Sequence, residues 1–327
     1  MASSTPPGLH NEVYPFISPA KFANSLDSQV VLIIGNRKAV ITSKFVPANV
    51  HYQRPGAAGT IGSSISKCFS IAGATVYLLD YNTEPLAALE KKCQKLGAKA
   101  TYSAQIDIAN YEVCEAVIKK VKEDCGAIDV LVNSAGVGRL GVDIKWFNRG
   151  IAINFTGPMF LMHLVLPDFI ARRRGCIINI ASRHGTVSTP LMCDYNTSKA
   201  ALIRLTQCIQ AEVDMYQASD IHLYALHPGG IRSNISTEAP LDSSIVEEFP
   251  AGMVSVALAT GIGKQALRGR YVDCGQDLEG IISQETAFKA DPELHSLNMK
   301  FLGGLLNDEG GANLTLEEPF VMPSGFE

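Results

Sequence analysis

The chain has 327 residues, is 46% hydrophobic and carries a formal net charge of −4. That composition can supply a sizeable core, and the mildly acidic balance argues against nucleic acid as a partner. Eight scattered cysteines, with no CxxC pair and no ligand-like His/Cys spacing, argue against a disulfide framework or a metal centre and point to a reducing, cytoplasmic compartment.

Residues 1–28 show no basic stretch followed by an apolar one, so no signal peptide is expected. Nowhere do about 18 apolar residues run together as a membrane span would require. This segment reads as an arm. Next comes "QVVLII" (29–34), near-continuously apolar, as a strand covered on both faces would be. "GTIGSSISKCFSIAG" (59–73) has apolar residues at three- and four-residue spacing and reads as a helix. The strand "ATVYLLD" (74–80), the helix "EPLAALEKKCQKLG" (84–97), a weaker strand "AKATYSAQID" (98–107) and the helix "NYEVCEAVIKKVKEDCG" (110–126) follow. The strand "IDVLVNSAG" (128–136), a long helical stretch over 144–174, the strand "GCIINIAS" (175–182), the helix "YNTSKAALIRLTQCIQAEVD" (195–214) and the strand "DIHLYALHPGG" (220–230) complete the alternation. Repeated β-α order predicts an α/β, doubly wound parallel sheet of the Rossmann type in one domain over 29–275. Residues 276–327 read as a C-terminal extension and tail.

Three groups of residues carry chemistry in this pattern. Gly56, Gly59 and Gly62 in "GAAGTIG" open a helix, where glycine lets backbone approach a pyrophosphate and the helix offers its N–H groups. Asp80 ends the next strand, near the offset at which a carboxylate meets an adenosine ribose and repels a 2′-phosphate. Tyr195 and Lys199 lie four apart on one helix face. An ammonium near a phenol stabilises the phenolate and lowers a pKa ordinarily near 10. Such a phenol can exchange a proton with an alcohol or carbonyl oxygen. Ser182 ends a buried strand, where its hydroxyl could hold a substrate oxygen.

The ordered set resembles the short-chain dehydrogenase/reductase family, in its fungal-type NAD(P)-binding members. "PGAAGTIG" (55–62) resembles the family's TGxxxGxG loop, and "NSAG" (133–136) its NNAG stretch. Asn154 in "AINFTGP" resembles its helix Asn. Ser182 stands 13 residues before Tyr195, the family spacing, and "YNTSK" gives YxxxK. "HPGGIRSN" (227–234) resembles PGxxxT with Ser233 in place of Thr, and "QIDI" (105–108) the acidic patch at the adenine. The resemblance runs from about residue 27 to 274. It implies Tyr195 as general acid/base, Lys199 lowering its pKa and binding the nicotinamide ribose, Ser182 orienting substrate, and Asn154 holding a relay water. It implies a cofactor site from Gly56, Gly59, Thr60, Ile61 and Gly62 at the pyrophosphate, with Asp80, Asp107 and Ile108 at the adenosine. Asn133, Ala135 and Gly136 would border the cofactor, and Pro228, Gly229, Ile231 and Ser233 would frame the nicotinamide. The implied reaction is NAD-dependent hydride transfer to or from a small secondary alcohol or ketone, in a homodimer or homotetramer. The segment 230–261, after Gly229, lies where the family places its mobile substrate loop.

Two departures stand out. Thr60 replaces the usual middle glycine and Pro55 the usual Thr. Residues 35–55 separate the first strand from its loop, and removing them leaves "VVLIIGAAGTIG", nearly the family sequence. The segment reads either as a retained intron or misplaced exon boundary, which we prefer, or as a surface insertion. A cofactor-binding regulator without turnover, or a chain inactivated by the 35–55 insertion, are the competing readings.

Overall fold

A computed structural model describes residues 6–35, 59–138, 141, 144–231 and 248–299. Every residue of β1 (Val30–Ile34) is buried. Alternate side chains point to opposite faces of a strand. Val31 and Ile33 enter one core, and Leu32 and Ile34 enter the other. The arm before β1 is packed rather than loose. It holds the short helix α1 (Pro19–Phe22), and Tyr14, Ile17, Phe22 and Leu26 are buried in the first core.

After β1 the described chain resumes at Gly59 and enters α2 (Thr60–Ile71), then β2 (Thr75–Asp80), α3 (Leu86–Lys95) and β3 (Ala100–Gln105). α4 (Tyr111–Cys125) begins at Asn110, whose side chain caps it by accepting from the Val113 N–H at 2.9 Å. β4 (Val130–Asn133), α5 (Ile144–Ile151) and α6 (Gly157–Arg172) lead to β5 (Arg174–Ile180). α7 (Cys193–Met215), β6 (Asp220–His227), α8 (Glu248–Ala259), α9 (Lys264–Leu267), β7 (Arg270–Asp273), α10 (Leu278–Ile282) and α11 (Glu285–Ala290) complete the fold.

The seven strands form one sheet in the order β3-β2-β1-β4-β5-β6-β7, and every pairing is parallel. Helices α2, α3, α8, α10 and α11 cover one face, and α4, α6 and α7 contribute to the other. This is the doubly wound sheet expected from the β-α alternation. The winding reverses between β1 and β4, so a crevice opens beyond the carboxyl ends of those strands.

Three details differ from expectation. Residues 248–259, assigned to a mobile loop, form α8, with Ala251, Val254 and Leu258 fully or almost fully buried. A helix that is apolar on every side has no helical periodicity to read, because it is buried on every side. The run Ile144–Arg172 is long and apolar enough to cross a membrane by length and hydropathy. In the fold it is α5, a π-helical turn (Ala152–Thr156) and α6, with Leu161, Met162, Val165 and Phe169 buried in the second core. Third, the C-terminal extension, as far as residue 299, is tied to the domain. The Arg270 guanidinium donates to the Pro292 carbonyl at 2.6 Å, and the Tyr271 N–H donates to the His295 carbonyl at 2.8 Å. All eight cysteines are free.

The amino ends of the strands carry a polar cluster far from the crevice. Asp129 accepts from the Val30 N–H at 3.0 Å and pairs with Arg172 at 2.9 Å, tying β1, β4 and the end of α6 together. Nearby, His222 is 6% exposed, and burial pushes its pKa down to about 4. The folded chain therefore refuses a proton that the unfolded chain accepts below about 6.5. Stability is complete above that value and declines as the pH falls towards 4, by up to about 3 kcal/mol at about 1.36 kcal/mol per unit. Denaturant midpoints measured from pH 7 to 4.5 should fall less steeply in His222→Gln than in the parent. Equal slopes would show that His222 does not control this acid lability.

Candidate active site

β2 ends in Asp80, which is fully buried, and its Oδ1 accepts from the Asn82 N–H at 3.0 Å. α2 begins one residue after Gly59, with no side chain capping its end. The N–H groups of Thr60, Ile61 and Gly62 are those that an anion at this helix end would meet. Gly56 lies outside the described residues. β4 ends in Asn133, whose Nδ2 donates to Asn179 Oδ1 at 2.8 Å. Asn133 Oδ1 is buried with no hydrogen-bond partner among the described residues. A buried, unpaired carbonyl costs roughly 1–3 kcal/mol, so a ligand donor there would be welcome. These features, at the crevice of the sheet, fit a dinucleotide.

The remaining predicted cofactor residues are placed unevenly. Ala135 is buried, and a side chain at Gly136 would stand 3.6 Å from Lys199 Nζ. Asp107 makes a local turn, its Oδ1 accepting from the Ala109 N–H at 3.1 Å. Ile108 is buried against Gly157, where any Cβ would come within 2.7 Å of it. It therefore packs α6 against the loop after β3. Gly229, at φ +89°, makes the turn after β6, with Pro228 and Ile231 buried. Ser233 lies outside the described residues.

The catalytic candidates come together. Ser182, just past β5, caps a short 3₁₀ turn (Arg183–Gly185), its Oγ accepting from the His184 N–H at 3.2 Å. That turn lies so close to α7 that a Cβ at Gly185 would stand 2.8 Å from the Lys199 carbonyl carbon. Tyr195 and Lys199 occupy the first two turns of α7 and are 9% and 2% exposed. Lys199 Nζ lies 5.7 Å from the Tyr195 ring centroid and donates to the Ile180 carbonyl at 2.6 Å. Asn154 sits in the π-helical turn, fully buried. Its Oδ1 accepts from the Val137 N–H at 2.8 Å, and its Nδ2 donates to the Val137 carbonyl at 2.7 Å and to Ser198 Oγ at 2.9 Å. The side-chain amide thus fastens the loop after β4 to α7, and both of its N–H hydrogens are taken up by protein.

The electrostatics correct one expectation. Burial pushes the Tyr195 phenol up to about 12; the Ser182 hydroxyl pulls it down, and the Asp194 carboxylate adds to the rise. Burial pushes Lys199 down to about 8. The spacing of Tyr195 and Lys199 suggested a lowered phenol pKa. Desolvation is the largest influence on each group, because burial disfavours the charged form of both.

Sequence reasoning missed three residues of this site. Asn179, buried in the middle of an apolar strand, bridges Asn133 and Thr206; its polarity within "GCIINIAS" was the available signal. His184 places Nδ1 3.4 Å from Ser182 Oγ and its ring 5.7 Å from that of Tyr195. His227 accepts from the Arg183 N–H at 3.4 Å and stacks on Tyr271. An imidazole in a turn or at a strand end leaves no periodic trace.

Comparison with known proteins bears on this arrangement. The family described as short chain dehydrogenase matches residues 55–243, which include Asn154, Ser182, Tyr195 and Lys199 but not β1. A short chain dehydrogenase of Pseudocercospora fijiensis is 26% identical over 312 residues, covering 87% of this chain and 91% of its own. A gluconate 5-dehydrogenase from Burkholderia cenocepacia, solved with NADP and tartrate, superposes with a TM-score of 0.65 at 22% identity, covering 78% of this chain and 96% of its own. An NAD+-bound xylitol dehydrogenase superposes at 0.63 and 22% identity, covering 77% and 99%. At that identity the two structures establish the shared fold alone.

Proposed function

The chain belongs to the short-chain dehydrogenase family, an oxidoreductase family with a nucleotide-binding Rossmann fold, and on that premise we propose that it transfers a hydride between NAD and a small secondary alcohol or ketone, with Tyr195 moving the proton. The observation that carries this reading is the convergence of Ser182, Tyr195 and Lys199 in one buried group beside the end of β5. NAD, when bound, supplies the hydride chemistry. The protein supplies position and the proton.

At neutral pH the Tyr195 phenol, with its pKa at about 12, is protonated and suited to donate to a carbonyl oxygen. In the reverse direction it must accept the alcohol proton. The ammonium of Lys199 would then stabilise the phenolate across the short gap between the two groups. Ser182 is placed to hold the substrate oxygen next to the phenol. A regulator that only sensed cofactor would have no need of an acid/base pair buried beside such a hydroxyl. The same reading has the chain act as a homodimer or homotetramer in the cytoplasm.

Solved relatives have been found with NADP and with NAD+, and the choice here is argued from Asp80. A buried carboxylate at the end of β2 accepts from ribose hydroxyls and opposes a 2′-phosphate. The ratio of kcat/KM for NAD over NADP should exceed one and fall by at least about tenfold in Asp80→Ala, the loss of roughly one charge-assisted hydrogen bond. A parent chain that used NADP more efficiently would contradict the choice of NAD. The proposal as a whole is tested by following nicotinamide reduction with a panel of secondary alcohols.

A further inference from the structure

We propose that Arg183 and His184, the two residues after Ser182, select a substrate bearing an anionic group, a carboxylate or phosphate, next to the reacting alcohol or ketone. This rests on the oxidoreductase reading above and narrows it to a substrate class.

Four observations support it. First, Arg183 directly follows Ser182 and is exposed, and among the described residues its guanidinium forms no ion pair. Most other arginines near the sheet are engaged: Arg172 and Arg174 hold Asp129, and Arg268 holds Asp214. Second, the backbone beside that guanidinium is fixed. The Arg183 N–H donates to His227 Nδ1, and the carbonyl accepts from the Thr186 hydroxyl at 2.9 Å and from the Thr186 N–H at 2.9 Å. Third, His184 contacts the Ser182 hydroxyl and meets the Tyr195 ring edge-on, so its imidazole can reach a second substrate oxygen. Fourth, the Tyr271 hydroxyl, on the ring stacked against His227, is buried with no hydrogen-bond partner among the described residues.

The charge pattern follows from these contacts. Burial and the Arg183 charge both hold His184 below its ordinary pKa, and burial does the same for His227. Both rings are therefore neutral at pH 7, able to donate or accept but not to neutralise an anion. Arg183 is the fixed cation of the group. The acids facing this cluster are Asp273, whose Oδ1 is turned to the Gly275 N–H at 2.9 Å, and Asp194, whose charge reaches Tyr195. A guanidinium presents paired N–H donors that match carboxylate or phosphate oxygens. A substrate whose reacting oxygen lies between Ser182 and Tyr195, and whose anionic group reaches Arg183, uses the whole cluster.

The test compares matched pairs with the full chain and NAD: 3-hydroxybutyrate against its methyl ester, and glycerol 3-phosphate against 3-methoxy-1,2-propanediol. One acid should exceed its neutral partner in kcat/KM, and which pair shows it distinguishes carboxylate from phosphate. That ratio should fall by at least about tenfold in Arg183→Gln, mainly through KM, and recover partly in Arg183→Lys. A parent chain that prefers the neutral partners, or a ratio unchanged in Arg183→Gln, overturns the inference. Calorimetric titration of the NAD-saturated chain with the two anions gives the second readout. Anion binding that Arg183→Gln weakens, without turnover of any compound, would leave the anion site standing and defeat the oxidoreductase reading. No difference in binding between parent and Arg183→Gln would defeat the inference whatever the turnover.

Discussion

Tyr195→Phe should lower kcat by about 10²–10⁴-fold, the range typical of a lost general acid/base, while the affinity for NAD changes little. The substitution removes one hydroxyl and keeps the ring. The ring is nearly enclosed and meets His184 edge-on, so packing is preserved and the fold should hold. What is lost is the atom that shares a proton with substrate. Ser182 is a poor replacement, because its nearest base among the described residues, His184, contacts the hydroxyl at 3.4 Å, at the outer limit of a hydrogen bond. Stopped-flow single turnovers would separate the chemical step from product release. Near-normal single-turnover rates in the variant would remove Tyr195 from the reaction.

The second large effect concerns residues 35–55. The family match begins at residue 55, so β1 falls outside it. Yet β1 lies in the middle of the sheet, paired with β2 and β4. The Gly35 N–H continues that pairing by donating to the Leu79 carbonyl at 2.7 Å. A phosphate loop works when strand end, glycines and helix start form one tight turn. Pro55 has no N–H and restricts its predecessor to extended backbone. A long closed loop alone is a small entropic burden, about 0.6 kcal/mol per doubling of length, so the expected damage is to geometry rather than to folding. Deleting 35–55 joins Ile34 to Gly56 and should tighten NAD binding by about tenfold or more, the equivalent of about one recovered phosphate hydrogen bond. Calorimetry on both chains measures it. Equal affinities, with transcripts that retain the segment, would identify 35–55 as a true part of the protein.

Much of this was legible in the sequence, for reasons tied to particular elements. The central strands β1, β4 and β5 are apolar on both faces because helices cover both. β3 was fainter because it is an edge strand whose residues are only partly buried, so polar residues interrupt it. β7, four residues long at the opposite edge, gave no signal. At the site, Ser182, Tyr195 and Lys199 were readable because chemistry fixes their types and the fold fixes their spacing. Their pKa values were not readable. The spacing reveals the amine one turn from the phenol, but the desolvation that governs both depends on distant residues closing over them. Asn154 shows the same limit: its identity was visible, while its three partners lie on Val137 and Ser198.

The most direct measurement of the central claim follows the hydride itself. Secondary alcohols, polyols and hydroxy acids deuterated at the carbinol carbon are incubated with the chain and NAD, and the recovered nicotinamide is weighed by mass spectrometry. Deuterium should appear on the nicotinamide with at least one substrate, and Tyr195→Phe should suppress it by about 10²-fold or more. A chain that binds NAD but transfers no deuterium from any of these classes, or that transfers it equally well without the Tyr195 hydroxyl, would contradict the account.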